Sequence, residues 1–102
     1  MSVSDSRSVT VENEQGLHLR PAGLFAETAS KFESQIEIVK DDLRIDGKSA
    51  LSILTLGAAK GTQLEINATG PDANEAINVL SELLGTGFPE EDISEDLPQG
   101  PG

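Results

Sequence analysis

The sequence predicts an α+β domain in which an antiparallel sheet is covered on one face by helices, and three observations carry that prediction. Apolar residues alternate with polar ones around Val9, Ile36 and Leu64, the period of a half-buried strand. They recur at three- and four-residue steps around Phe25 and Ile77, the period of an amphipathic helix. Each periodic segment has one apolar face, so strands and helices must cover each other in layers.

The elements follow in order. Val9 and Val11 alternate with Ser8, Thr10 and Glu12 in a first strand that ends near Asn13. A Glu14-Gln15-Gly16 turn leads to a helix in which Pro21 sits in the first turn, and Ala22, Phe25, Ala26, Ala29 and Phe32 form the stripe, to about Phe32. Ile36 and Ile38 mark a second strand, Asp41-Asp42 turns it into Leu43-Arg44-Ile45, and Asp46-Gly47 turns the chain out again. Ser49 is a good N-cap for a short apolar helix containing Ala50, Leu51, Ile53, Leu54 and Leu56, which stops at Gly57. Gln63 to Thr69 is a fourth strand with Leu64, Ile66 and Ala68 on one face. Gly70-Pro71-Asp72 then opens a capped helix, striped by Ala73, Ala76, Ile77, Leu80, Leu83 and Leu84, that runs to Gly85.

With 102 residues the chain fits one domain with one modest core, and three segments are expected: a flexible N-terminus at 1–7, the folded domain at 8–86 and a disordered acidic tail at 87–102. The tail joins Glu90, Glu91, Asp92, Glu95 and Asp96 to Pro89, Pro98 and Pro101, and no basic residue follows Lys60. It is either a solubilising appendage or a docking segment. The net charge of −11 argues against nucleic acid or an anionic membrane surface as partner. No cysteine is present and there is a single histidine, so disulfides and Cys-based zinc sites are excluded and no metal or cofactor is expected. The opening residues lack the apolar core of a signal peptide and no apolar run reaches membrane-spanning length, so no membrane insertion and a cytoplasmic location are expected.

The chemistry concentrates at His18. Imidazole is a nucleophile near neutral pH, Arg20 can grip a phosphoryl group, and a helix N-terminus offers backbone N–H donors at a positive dipole end. No acidic residue follows until Glu27, so a dianion meets no repulsion there. Arg20 precedes a proline, which predicts extended backbone and a side chain turned back toward His18.

The segment Gly16-Leu17-His18-Leu19-Arg20-Pro21-Ala22 closely resembles the active-site segment of the HPr family, the histidine-containing phosphocarriers of the bacterial phosphoenolpyruvate-dependent sugar phosphotransferase system. Lys48 to Gly61 is similar to that family's second-helix region, and Ile66 to Ala73 to its last strand and turn. The resemblance implies an open-faced β-sandwich: a four-stranded antiparallel sheet with three helices on one face, in the order βαββαβα. It implies that His18 takes phosphate on its δ nitrogen from enzyme I and gives it to EIIA components, as a stoichiometric carrier and not an enzyme. By the same resemblance Arg20 stabilises the phosphate, and Pro21, Ala22 and Gly23 form the helix start that holds it. Ser49 matches a serine that a dedicated kinase, an HPr kinase/phosphorylase, phosphorylates in some members to signal carbon status, and a transcriptional regulator is a further partner of that kind. Leu19, Leu24, Lys48, Leu51 and Leu54 are the expected docking patch.

Three residues depart from the family pattern. Leu19 stands where a small residue is usual, Gly23 where Thr or Ala is more usual, and Glu27 where a basic residue often attracts an acidic partner. A second class of function fits the same residues: a regulatory interaction module gated by phosphorylation at His18 or Ser49, without sugar transport. A stand-alone enzyme does not fit, because no second general acid or base and no metal cluster can be named.

Overall fold

The computed structural model describes residues 3–87. Seven elements form in the order expected: β1 (Val3–Thr10), α1 (Leu19–Ala29), β2 (Gln35–Lys40), β3 (Leu43–Asp46), α2 (Ala50–Leu54), β4 (Gln63–Gly70) and α3 (Ala73–Gly85). The strands make one antiparallel sheet in the order β1-β4-β2-β3. Central strand β4 turns Leu64, Ile66 and Ala68 inward, β2 adds Ile36 and Ile38, and the apolar stripes of α1 and α3 close over them with Phe25, Ile77, Leu80 and Leu84. Ile53 of α2 is buried in the same core.

The first strand is longer at its start than the sequence suggests. Val3 to Arg7, expected to be a flexible terminus, pairs residue by residue with β4 from Val3 opposite Gly70 to Arg7 opposite Ile66. Asp5 and Arg7 face the helices where apolar residues would normally sit. Arg7 donates to Ser81 Oγ (3.0 Å) and Asn78 Oδ1 (2.9 Å) of α3, and Asn74 Nδ2 donates to Asp5 (2.9 Å). This half of β1 is therefore held by polar cross-links, which leave no alternation to read. Of the tail expected at 87–102, Gly87 is the last described residue, and 88–102 lie outside the described residues.

Helix ends also differ. α1 stops at Ala29, because the Ser30 hydroxyl and N–H both donate to Ala26 O and the next two N–H groups reach back only three residues, from Lys31 to Thr28 O and from Phe32 to Ala29 O. α2 ends in the same tightened way before Gly57. Asp72 does not cap α3 with its side chain. Its carboxylate instead accepts the Ser34 hydroxyl (2.6 Å) and the N–H groups of Ser34 and Glu33 (2.9 Å each), tying the entry of α3 to the start of β2.

That clamp is tight. Gly70, at φ +151°, passes so close that a Cβ would stand 2.5 Å from Ser34 Cα. Ser34 is fully buried, so Ser34→Ala is expected to cost about 1–2 kcal/mol, and Gly70→Ala about 3 kcal/mol or more from clash and strain, both measured by urea denaturation. The Ser34 hydroxyl and then the Glu33 N–H hold the Asp72 carboxyl below its ordinary pKa of 3.8. A depressed carboxylate adds stability above its unfolded value and loses it as pH falls through the folded one. Asp72→Asn is therefore expected to flatten the loss of stability on acidification below pH 3.8.

Candidate functional site

The loop that carries His18 is built by a cross-braced turn. Asn13 accepts the Gly16 N–H on its backbone carbonyl (3.0 Å), while its buried side-chain Nδ2 donates back to Gly16 O. Sequence reading passed over Asn13, although Asn at the first and Gly at the fourth position is a type I turn signature. Gly16, at φ +75°, then lies directly on the α2–β4 loop: a Cβ there would stand 2.4 Å from Ala58 O and 2.9 Å from Ala59 Cα. Leu17 N–H donates to Ala58 O (2.9 Å) and its side chain is buried. Across the same two loops Lys60 pairs with Glu14 (2.8 Å), and that hydrogen bond and charge lower the Glu14 pKa and raise that of Lys60. Both side chains are exposed, so the pair adds little to stability.

This anchoring delivers His18 as the N-cap of α1, with extended backbone (φ −91°, ψ −165°) and a half-buried side chain. The His18 carbonyl accepts the Ala22 N–H (3.0 Å), which is the first backbone bond of the helix. The N–H groups of Leu19 and Arg20 precede that bond, Pro21 has none, and Gly23 lies further into the ladder. The donors at the helix start are therefore those of Leu19 and Arg20, and the expected Pro21, Ala22 and Gly23 follow them in the first turns. Pro21 and Ala22 are buried and act as the anchor of the first turn. Arg20 is itself helical, not extended, because the buried proline and the Ala22–His18 bond outweigh the usual preference of a residue before proline. Its exposed side chain lines an open depression with His18 and Leu19. The first turn of α1 contains no acidic residue.

The predicted docking residues divide into two groups. Leu19 (70% exposed) and Leu51 (75% exposed) point outward from α1 and α2, two helices packed on one another. Leu24 and Leu54 are partly buried against the core and offer only an edge. Lys48 is spent elsewhere, since its Nζ donates to Phe32 O (2.8 Å) and closes the end of the α1 connection. Ser49 caps α2 by accepting the Ser52 N–H on its hydroxyl (3.2 Å). Among the described residues no group of three or more His, Cys, Asp and Glu is placed to hold a metal, and no helix is long and apolar enough to cross a membrane.

Fold and site define a small α+β domain that presents its one imidazole at a helix start. Known proteins identify its kind: the family model for the PTS HPr component phosphorylation site matches residues 5–86. The phosphocarrier protein HPr of Neisseria meningitidis is 39% identical over 84 residues, covering 82% of this chain and 94% of the relative. The HPr of Treponema pallidum is 36% identical over 85 residues, covering 83% and 97%. The crystal structure of HPr-C-His from Thermoanaerobacter tengcongensis superposes with a TM-score of 0.79 at 40% identity, covering 82% of this chain and 94% of that one. The chain belongs to the HPr phosphocarrier family of the phosphotransferase system.

Two glycines near the site should respond oppositely. Gly16→Ala meets a carbonyl oxygen in a left-handed conformation and is expected to lose about 3 kcal/mol or more, with the His18 loop displaced. Gly23 is helical and an added Cβ meets nothing within 4 Å, so Gly23→Ala is expected to gain about 0.5–1 kcal/mol. Thermal denaturation of the two variants checks both signs.

Proposed function

We propose that this protein accepts a phosphoryl group from enzyme I on the δ nitrogen of His18 and passes it to the EIIA components of the sugar phosphotransferase system. The observation that carries the reading is the placement of the only histidine as N-cap of α1, with Arg20 two residues on. The imidazole lone pair forms the N–P bond as the bond from phosphorus to the donor breaks and its electron pair returns to the donor. Onward transfer reverses the roles, with the imidazole leaving and taking back its pair.

The transferred group is anionic, and the surroundings of His18 suit it. The Leu19 and Arg20 amides and the α1 dipole lie on one side, and the Arg20 guanidinium provides charge-assisted hydrogen bonds. Leu19 and Leu51 supply the apolar contact that a partner needs to exclude water around the reacting groups. Ser49 caps α2, so a phosphate on its hydroxyl would be tolerated at that helix start, where its oxygens can accept the free N–H groups, while adding charge beside Leu51.

Incubation with enzyme I and labelled phosphoenolpyruvate is expected to give acid-labile label that His18→Ala abolishes and Ser49→Ala retains. Arg20→Ala is expected to lower the transfer rate roughly 10- to 1000-fold, the loss of one charge-assisted contact in the transition state. Label that persists in His18→Ala would overturn the assignment.

A further inference from the structure

The sheet ends on one side at β1, whose outer edge pairs with no strand among the described residues. Val11 exchanges backbone bonds with the Gly61–Thr62 loop, so alternation turns the N–H and C=O groups of Val9, Arg7, Asp5 and Val3 toward β4 and those of Ser4, Ser6 and Ser8 toward the free edge. The Ser6 N–H agrees with this, since it donates to Asp5 Oδ1 (2.8 Å) and not to β4. A free edge is a template for another strand, and chains usually blunt it with proline, lysine, a bulge or short length. β1 has none of these over its 8 residues. What it does carry is a pair of charges on the helix-facing side, Asp5 and Arg7, which a strand without matching charges would leave unpaired. The edge is therefore open but selective.

The strand that matches it is a second copy of itself. Val3-Ser4-Asp5-Ser6-Arg7-Ser8-Val9 reads the same in both directions except that Asp5 and Arg7 exchange places. Two copies laid antiparallel about a twofold axis at Ser6 set Asp5 opposite the partner's Arg7, Ser4 opposite the partner's Ser8 and Val3 opposite the partner's Val9. The serines then fall at hydrogen-bonded pairs, and the charges at non-hydrogen-bonded pairs, where facing Cα atoms lie only about 4.5 Å apart. Each charge is available for this. Among the described residues neither Asp5 nor Arg7 has an ion-pair partner, and α3 meets them only with the neutral side chains of Asn74, Asn78 and Ser81. Arg7 spends two of its five N–H donors there, which leaves others for a carboxylate. Val3, 39% exposed on the same side of the strand, gains an apolar neighbour in the partner's Val9.

We propose that two copies of this chain associate by pairing their β1 edges antiparallel about Ser6, which joins the two sheets into one with both helical layers on the same face. The Ser6 N–H exchanges Asp5 Oδ1 for the partner's Ser6 carbonyl, and the carboxylate oxygen so released turns to the partner's Arg7. The interface is isologous, so each contact is made twice. The His18 loops follow β1 and are carried to opposite ends of the joined sheet: at about 3.4 Å per residue, Thr10 already stands about 14 Å from the axis. Neither His18 is covered. The pairing does not rest on the carrier reading above, and it leaves that reading open to both copies at once.

Sedimentation equilibrium of the full chain at about 0.15 M salt tests the pairing. One strand pair is a small interface, below the roughly 1,200 Å² of stable complexes, so a reversible dimer is expected at about 0.1–1 mM. Arg7→Asp and Asp5→Arg each set like charges opposite one another and are expected to weaken association about tenfold or more. An equimolar mixture of the two variants is expected to restore it, because every carboxylate then faces a guanidinium. Both variants stay net acidic, so general attraction does not account for that rescue. Asn74, Asn78 and Ser81 can each donate or accept, so α3 serves either charge. Ser6→Pro removes the central N–H, which β4 does not use, and is expected to abolish the dimer while the amide spectrum of β4 is retained. That variant decides the matter even where a charge variant loses its fold. No association up to about 2 mM, well above the range expected of so small an interface, would overturn the proposal. So would a mixture no more associated than its components, or a dimer that survives Ser6→Pro, as one formed by exchange of whole β1 strands would.

Discussion

The placement of the imidazole depends on one backbone contact: Gly16 lying against Ala58 and Ala59 without a side chain between them. Because the approach is that close, Leu17 can donate to Ala58 O and bury its side chain, and the next residue must leave the loop at the mouth of α1. The Asn13 brace and the pair of bonds between Val11 and the Gly61–Thr62 backbone hold the two loops in register on either side. His18 is thus a loop residue with the precision of a helix residue. The function proposed for His18, meeting two different partners in one geometry, needs that kind of mounting.

The same logic, a backbone brought close by a missing side chain, recurs at the other end of the molecule. Gly70 passes Ser34 so that Asp72 can collect three hydrogen bonds from the entry of β2. The two contacts brace opposite ends of β4, since Gln63 follows the loop that supports Gly16 and Gly70 ends the strand. The central strand is therefore fixed at both ends, and the α1 and α3 stripes close over a sheet whose register cannot slip without breaking one of them.

Most of the fold was legible because its core faces are apolar and periodic. β2, β3, β4 and α3 lie where alternation and the Leu and Ile stripe put them. The first half of β1 was not legible, since Asp5 and Arg7 occupy core-facing positions and are satisfied by α3, contacts that exist only after folding. The role of Asp72 was missed for a related reason: a helix-start aspartate reads as a cap until a distant serine competes for it. At the site, the types of residue at 18 and 20 were readable, but the donor count was not. Which amides stand outside the helical ladder depends on where its first bond forms, and Pro21 as the third helical residue removes a donor that composition alone would have credited.

The exposure of the site bears on how tightly a phosphoryl group can be held. Deep burial would strengthen each hydrogen bond to the anion, yet it would also make the group slow to leave. Here Leu19 and Arg20 face solvent, where a charged contact is worth far less than in a dry pocket. On the function proposed above, the stabilisation that matters for transfer would come from a partner that covers Leu19 and Leu51 and lowers the local dielectric around the reacting atoms. In that reading the same two leucines couple binding to activation. A surface that is apolar at its rim and cationic at its centre would then hold a phosphoryl group loosely alone and stabilise it in transit only in the complex.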